Sequence, residues 1–146
     1  MELIETQIIN ANREKVWDAL NNPEILKICI PGCSELEGGL VDGFTAKVTQ
    51  KVGPVKATFT GKVTISDIKE YESYTITGEG KGGIAGFAKG SAKIFLKRIE
   101  KQTSLSYEIN ARVGGKLAQI GSRVIDGFAK NYARAFFEKF RTEIES

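Results

Sequence analysis

Residues 55–66 read VKATFTGKVTIS and carry the most regular pattern in the chain. Apolar or small side chains alternate with lysine, threonine and serine throughout this segment. A period of two places the first set on one face of an extended chain and the second set on the other. The segment is therefore predicted to be a half-buried antiparallel strand with one face in solvent.

Similar alternation appears on both sides of this strand, and glycine-containing turn signals such as Gly53–Pro54 separate the segments. The sheet is predicted to have about six or seven strands. The further strands cover residues 1–10, 44–49, 74–80, 88–97 and 104–113.

Three helices are predicted around this sheet. Asn12 has the side chain of an N-cap for a first short helix, and Pro23 suits the first position of a second one that ends near Cys29. After residue 115 the apolar residues fall at three- and four-residue spacing, and residues 116–146 contain no proline. They are predicted to form one helix of about 28 residues, roughly 40 Å long.

The order of these elements predicts a single α+β domain over residues 1–146, in which a curved antiparallel sheet wraps around the C-terminal helix. A strongly curved sheet does not close tightly on a long helix along its full length. An elongated apolar cavity between them is therefore expected, and a well-packed core with a close helix is the alternative.

Composition narrows the possible chemistry. The 146 residues include no histidine, which excludes Ser-His-Asp and Cys-His catalysis and any zinc or haem site with a histidine ligand. The net charge of +3 gives no reason to expect nucleic acid as a partner. A membrane-spanning helix needs about 20 apolar residues, and charged residues interrupt this chain far more often.

The two cysteines and the N-terminus indicate the compartment. The segment Met1–Glu5 is acidic and does not resemble a secretory signal. Cys29 and Cys33 are therefore predicted to be free thiols in the cytoplasm rather than a disulfide or metal ligands.

The expected cavity lining is uncharged and contains many small residues, which suits an apolar ligand. Tyr74, Tyr107 and Gln119 are the polar groups expected to anchor a ligand there; a core tyrosine bonded to backbone is an equally good interpretation of Tyr107. The lining is predicted to comprise Phe44, Val48, Ala57, Phe59, Val63, Tyr74, Ile76, Ala88, Ala92, Ile94, Leu105, Tyr107, Ile109, Leu117, Ile120, Gly121, Val124 and Phe128.

Glycines and lysines mark two further features. Gly-rich residues 80–86 are predicted either to form a mobile lid at the cavity mouth or to make tight turns. Gly114–Gly115 precedes a helix, where a turn is the favoured interpretation and an anionic head group the alternative. Residues 43–66 and 80–99 contain basic but no acidic residues. They form either a solvated outer sheet face or a docking surface for an acidic partner or an anionic membrane.

Four motifs in order along the chain resemble the carbon monoxide dehydrogenase G-subunit family. They are Ile30-Pro31-Gly32-Cys33, Lys51-Val52-Gly53-Pro54-Val55, Ala85-Gly86-Phe87-Ala88-Lys89-Gly90 and the segment Val113–Gly121, which reads VGGKLAQIG.

The resemblance implies a START-like helix-grip fold with a hydrophobic ligand cavity. It also implies a non-catalytic accessory protein that binds a quinone or lipid and serves a molybdenum hydroxylase of the carbon monoxide dehydrogenase type. Electron transfer and recruitment to the inner face of the membrane are the roles it suggests. Some family members carry a long C-terminal extension linked to membrane attachment.

Two other classes of function remain as alternatives. One is an assembly or tethering module, or a general lipid-binding protein, in which the cavity is incidental to the partner enzyme. The other is an enzyme, since some START-like proteins are cyclases or hydrolases. The lack of histidine and of inward carboxylates disfavours an enzyme.

Overall fold

A seven-stranded antiparallel sheet curves around a long C-terminal helix in the computed structural model, which describes residues 1–145. The strand order is β1-β7-β6-β5-β4-β3-β2, so β1 and β2 form the two edges. The strands are β1 (Glu2–Ile9), β2 (Cys33–Gly39), β3 (Gly43–Val52), β4 (Val55–Lys69), β5 (Ser73–Lys81), β6 (Phe87–Ile99) and β7 (Gln102–Gly114). The helices are α1 (Arg13–Leu20), α2 (Pro23–Cys29), α3 (Lys116–Gln119) and α4 (Ser122–Ile144).

Strands β2 to β7 follow one another as consecutive hairpins, and β1 pairs with β7 to form one edge of the sheet. Residues 55–66 lie in β4, and their burial alternates between half-buried and exposed as predicted. The pairing keeps the faces in register, since Val48 lies opposite Phe59 across β3 and β4. One face of the sheet is therefore apolar and turned toward α4, while the other carries the lysines and threonines.

The two short helices begin at the residues that the sequence indicates. The Asn12 side chain accepts a hydrogen bond from the Lys15 amide at 2.8 Å, and the Asn22 side chain accepts one from the Glu24 amide at 2.9 Å. Pro23 is the first residue of α2, a position at which its missing N–H leaves no donor unpaired.

The packed core fills the end of the molecule at which β1 meets α1. The Trp17 and Tyr74 rings meet edge to face, with centroids 5.1 Å apart, and belong to the same core cluster as residues on the last turns of α4. Phe140 and Ile144 on those turns are buried. Thr103, also fully buried, donates from its hydroxyl to the Ala11 carbonyl at 2.8 Å, which fixes the chain between β1 and α1. The core thus holds the C-terminal part of α4 and leaves its N-terminal part free to diverge from the sheet.

Two elements differ from the sequence prediction. Strand β2 has no clear signal in the sequence, because residues 33–39 lack alternation and end in two glycines. Its pairing with β3 contains a register shift. The predicted single helix over residues 116–146 is wrong: it is divided into α3 and α4 at Ile120–Gly121. Gly121 has φ 105° and ψ 145°, a region essentially restricted to glycine, so the chain turns sharply there. Ser146 lies outside the described residues.

The break at Gly121 is testable against a glycine inside α4. Gly121→Ala is expected to lower the free energy of unfolding by about 1–3 kcal/mol, because a Cβ disfavours this backbone conformation. Gly127→Ala is the matched control. A Cβ meets no atom within 4 Å at either position, but Gly127 is helical, so alanine should stabilise the protein by about 1 kcal/mol there. Urea denaturation of both variants measures the difference, and equal effects would contradict the assignment.

Candidate functional site

An apolar cavity of about 750 Å³ lies between the inner face of the sheet and the N-terminal half of α4. Its volume falls within the range of about 300–1,000 Å³ that is typical of small-molecule sites. The stacked rings of Tyr107 and Phe137, 5.0 Å apart, form part of its inner end. Its mouth lies where β7, α3 and α4 meet, since the lining residues Ala118, Gly121 and Ser122 are exposed there.

Eleven of the residues predicted to line a cavity do line this one. Those on the strands are Val48, Phe59, Ile76, Ala88, Ala92, Ile94, Tyr107 and Ile109. Those at the helices are Leu117, Gly121 and Phe128.

Five predicted residues on the strands lie outside the lining, because the inner face of the sheet extends beyond the cavity. Tyr74 and Leu105 face inward but lie in the packed core outside the lining, and the anchoring role of Tyr74 stays a prediction. Phe44 is buried at the start of β3, and Ala57 and Val63 face inward beside the lining rather than in it. A period of two identifies which residues face inward, but it does not show which of them α4 packs against directly and which border the cavity.

Three predicted residues near the helix break, Gln119, Ile120 and Val124, lie outside the lining because α3 and α4 turn there. Ile120 and Val124 pack against the β3–β4 turn, where a Cβ on Gly53 would meet their side chains at 3.1 and 3.4 Å. Gln119 ends α3 and is exposed, so it does not reach the cavity.

Two polar side chains that were not predicted as anchors line the cavity and share one acceptor. Gln50 donates from Nε2 to the Pro31 carbonyl at 2.9 Å, and the Tyr132 hydroxyl donates to the same oxygen at 2.8 Å. Burial raises the pKa of Tyr132, so its hydroxyl stays protonated. Extending the alternation of β3 two residues beyond Val48 would have placed Gln50 on the inner face.

The Ile30–Cys33 motif presents that carbonyl. Gly32 has φ +77°, and a Cβ on it would lie 2.1 Å from the Thr49 carbonyl oxygen, so the position requires glycine. The amide of Thr49 donates to the Gly32 carbonyl at 3.0 Å. The motif is thereby fixed against β3, with the Pro31 oxygen directed at Gln50 and Tyr132.

Tyr107 contributes its ring to the cavity but not its hydroxyl. The hydroxyl oxygen has no accessible surface and no hydrogen-bond partner among the described residues. The pKa of Tyr107 is raised, because burial and the nearby Glu5 outweigh the opposing effect of the Gln7 side chain on β1. The hydroxyl is thus enclosed on the β1 side, where Glu5 and Gln7 face inward. The expectation that no carboxylate faces inward is therefore wrong at Glu5.

The glycine-rich loop between β5 and β6 packs against the end of β7. Residues 83–85 form a 3-10 turn, in which Ala85 is buried while Ile84 is 86% exposed. A Cβ on Gly86 would lie 2.0 Å from the Gly114 carbonyl oxygen, which shows how closely the loop approaches the end of β7. The loop lies beside the mouth, and its movement as a lid stays a prediction.

Charge is unevenly distributed between the two ends of the sheet. Residues 51–56, 79–89 and 112–126, around the mouth, contain seven basic and two acidic side chains. The turns at the opposite end, residues 40–42, 67–72 and 98–101, contain three basic and five acidic ones. Glu79 is one of the two acids near the mouth, and it contacts Lys81 at 3.3 Å and Lys89 at 3.4 Å. The mouth therefore lies at the basic end of the molecule.

Both cysteines are free, as predicted. Burial and the nearby Glu143 raise the pKa of Cys29 to about 11, and burial also raises the pKa of Cys33. Within residues 1–145 no three histidine, cysteine, aspartate or glutamate side chains cluster as metal ligands would. Nor does any helix there have the length and apolar character to span a bilayer.

Comparisons with known proteins place this geometry in a family. Residues 6–145 match the family model of the carbon monoxide dehydrogenase G-subunit (CoxG). A conserved protein from Geobacillus kaustophilus is 34% identical, with a TM-score of 0.92 over 99% of this chain and 95% of that one. No curated protein matches the sequence.

More distant structures share the fold alone. A Chromobacterium violaceum protein has 13% identity and a TM-score of 0.73 over 99% of this chain and 97% of its own. The ZhuI aromatase/cyclase from a Streptomyces species has 12% identity and a TM-score of 0.66 over 99% and 93%. These similarities confirm the predicted START-like helix-grip fold.

The raised thiol pKa values give a labelling prediction. At pH 9 an ordinary thiol is half ionised, whereas a pKa of about 11 leaves about one Cys29 in a hundred as thiolate. Cys33 should therefore react with a thiol reagent before Cys29, which should react fully only in denaturant. Peptide mapping after timed alkylation measures the order of labelling, and faster labelling of Cys29 would contradict the assignment.

Because folding raises the Cys29 pKa, its contribution to stability should be lost as pH rises from about 9 to about 11. Urea denaturation between pH 9 and pH 11 measures the loss of stability, with Cys29→Ala as the control.

Proposed function

Because the chain belongs to the carbon monoxide dehydrogenase G-subunit family, we propose that it is an accessory protein that carries a hydrophobic ligand, a quinone or lipid. The ligand occupies the sheet–helix cavity, and the protein serves a molybdenum hydroxylase of the carbon monoxide dehydrogenase type. The single observation that carries the proposal is the open apolar cavity of about 750 Å³. A cavity of this kind binds by removing apolar surface from water, at about 25 cal/mol per Å².

A non-catalytic role is supported by the chemistry of the lining. The carboxylate in the lining, Asp126, is exposed at the rim rather than enclosed with a substrate. The chain has no histidine, and the polar side chains within the wall, Gln50 and Tyr132, are hydrogen-bonded to a backbone carbonyl. A pair of groups for acid and base catalysis is not assembled there.

A role at the membrane surface is supported by the position of the positive charge. Seven basic residues lie in the three segments around the mouth, and the exposed Ile84 lies in one of them. An anionic bilayer attracts such a surface with about 1 kcal/mol per basic residue near it, and the attraction is screened by salt. The protein would therefore meet the membrane with its cavity mouth first, which is the orientation that ligand exchange requires.

Filling the cavity tests the carrier proposal. Ala92→Phe adds a ring into the space between Ile76 and Ile109, and it should weaken the binding of a short-chain naphthoquinone at least tenfold while the fold is retained. Ser91→Phe is the matched control, since it adds the same side chain one residue away on the outer face. Titration calorimetry measures the affinities, and solvent extraction of purified protein identifies any lipid that copurifies.

The same variants separate a carrier from a tethering module. In a carrier, Ala92→Phe abolishes the quinone-dependent turnover of the partner hydroxylase, whereas in a tether it leaves that turnover intact. A wild-type protein that yields no extractable lipid and binds no quinone would contradict the carrier proposal.

Charge reversal tests the membrane role. The double variant Lys51→Glu/Lys116→Glu should reduce sedimentation with vesicles that contain phosphatidylglycerol, and binding by the wild type should fall as salt is raised. Lys69→Glu/Lys101→Glu makes the same charge change at the opposite end and should leave sedimentation unchanged. Equal losses in both double variants would mean that net charge, rather than the mouth, controls binding.

A further inference from the structure

The Pro31 carbonyl determines what Gln50 and Tyr132 have left to offer a ligand. A carbonyl oxygen accepts two hydrogen bonds, and here it receives one from each side chain, at 2.9 and 2.8 Å. Because the oxygen only accepts, it orients the amide of Gln50 with its nitrogen toward Pro31. For the same reason it accepts a hydrogen bond from the Tyr132 hydroxyl.

Gln50 and Tyr132 have more free hydrogen-bond acceptors than donors. Tyr132 keeps the lone pairs on its oxygen, and Gln50 keeps its carbonyl oxygen and the second hydrogen of its amide nitrogen. Both side chains line the cavity, and the Gln50 carbonyl oxygen, which accepts no hydrogen bond from the described residues, is not enclosed. The pair therefore offers several acceptors and one donor.

The other polar groups of the cavity are enclosed, bonded to backbone or exposed at the mouth. The Tyr107 hydroxyl has no accessible surface, and the Met1 ammonium donates to the Ala111 carbonyl at 2.8 Å. Arg112, Ser122 and Asp126 are exposed at the mouth.

We propose that Gln50 and Tyr132 form the head-group subsite of the cavity and select a ligand whose polar head donates a hydrogen bond. A hydroquinone, phenol or alcohol meets this requirement, since its hydroxyl donates to Tyr132 or to the Gln50 oxygen and accepts from the Gln50 amide. A quinone or ether accepts only, so it uses one of the available positions. The inference rests on the proposed function, and it adds that the reduced form of a quinone is held more tightly than the oxidised form.

A pair of ligands that differ by one methyl group tests the subsite. The probes are 4-octylphenol, whose hydroxyl donates, and its methyl ether, 4-octylanisole, which only accepts. The wild type should bind the phenol more tightly relative to the ether, and Tyr132→Phe and Gln50→Leu should each reduce this ratio about three- to tenfold. In either variant the Pro31 carbonyl keeps one donor, which favours retention of the fold.

Tyr107→Phe is the matched control, because it removes the hydroxyl of another tyrosine in the lining, one that is enclosed away from the cavity. It should leave the ratio of the two affinities unchanged. A ratio that is unaffected by Tyr132→Phe and Gln50→Leu, or that falls equally in Tyr107→Phe, would overturn the subsite while both probes still bind. Failure of both probes to bind the wild type would instead overturn the carrier proposal, and the subsite with it.

Discussion

The structure depends on how α4 is held against the sheet. Its last turns are fixed by aromatic packing, since Phe137 stacks on Tyr107 and Phe140 is fully buried in the core. Its first turn is separated from α3 by the bend at Gly121. A helix that is anchored at one end and bent away at the other leaves space beneath its free half. The cavity is thus a consequence of where the aromatic side chains end along the helix.

Much of the fold could be predicted because the determining patterns are local. The period of two in residues 55–66, the cap at Asn12 and the proline at the start of α2 each specify an element without long-range information. Strand β2 lacks such a signal, and it forms because β3 offers it an edge to pair with. The break at Gly121 was missed because glycine within an apolar helical pattern is usually tolerated, and the β3–β4 turn that packs there is remote in sequence.

The site could be predicted in outline but not in its polar detail. Most of the lining follows from alternation, since the inner face of each strand is evident in the sequence. The depth at which packing ends depends on the size of side chains from several elements, so Tyr74 and Leu105 were placed in a cavity that stops short of them. The role of Gln50 depends on a carbonyl 19 residues away, and that contact exists only once the Pro31–Gly32 turn has folded against β3.

Two glycines on the inner face have a consequence for ligand size. Gly61 and Gly80 lie opposite each other on β4 and β5 and line the cavity. A Cβ at Gly80 would meet no atom within 4 Å, and one at Gly61 would meet its nearest neighbour only at 3.8 Å. Replacement of either glycine by alanine or a larger residue would therefore reduce the volume of the cavity without disturbing the sheet. Relatives with different residues at these two positions would accommodate ligands of different size on one unchanged backbone.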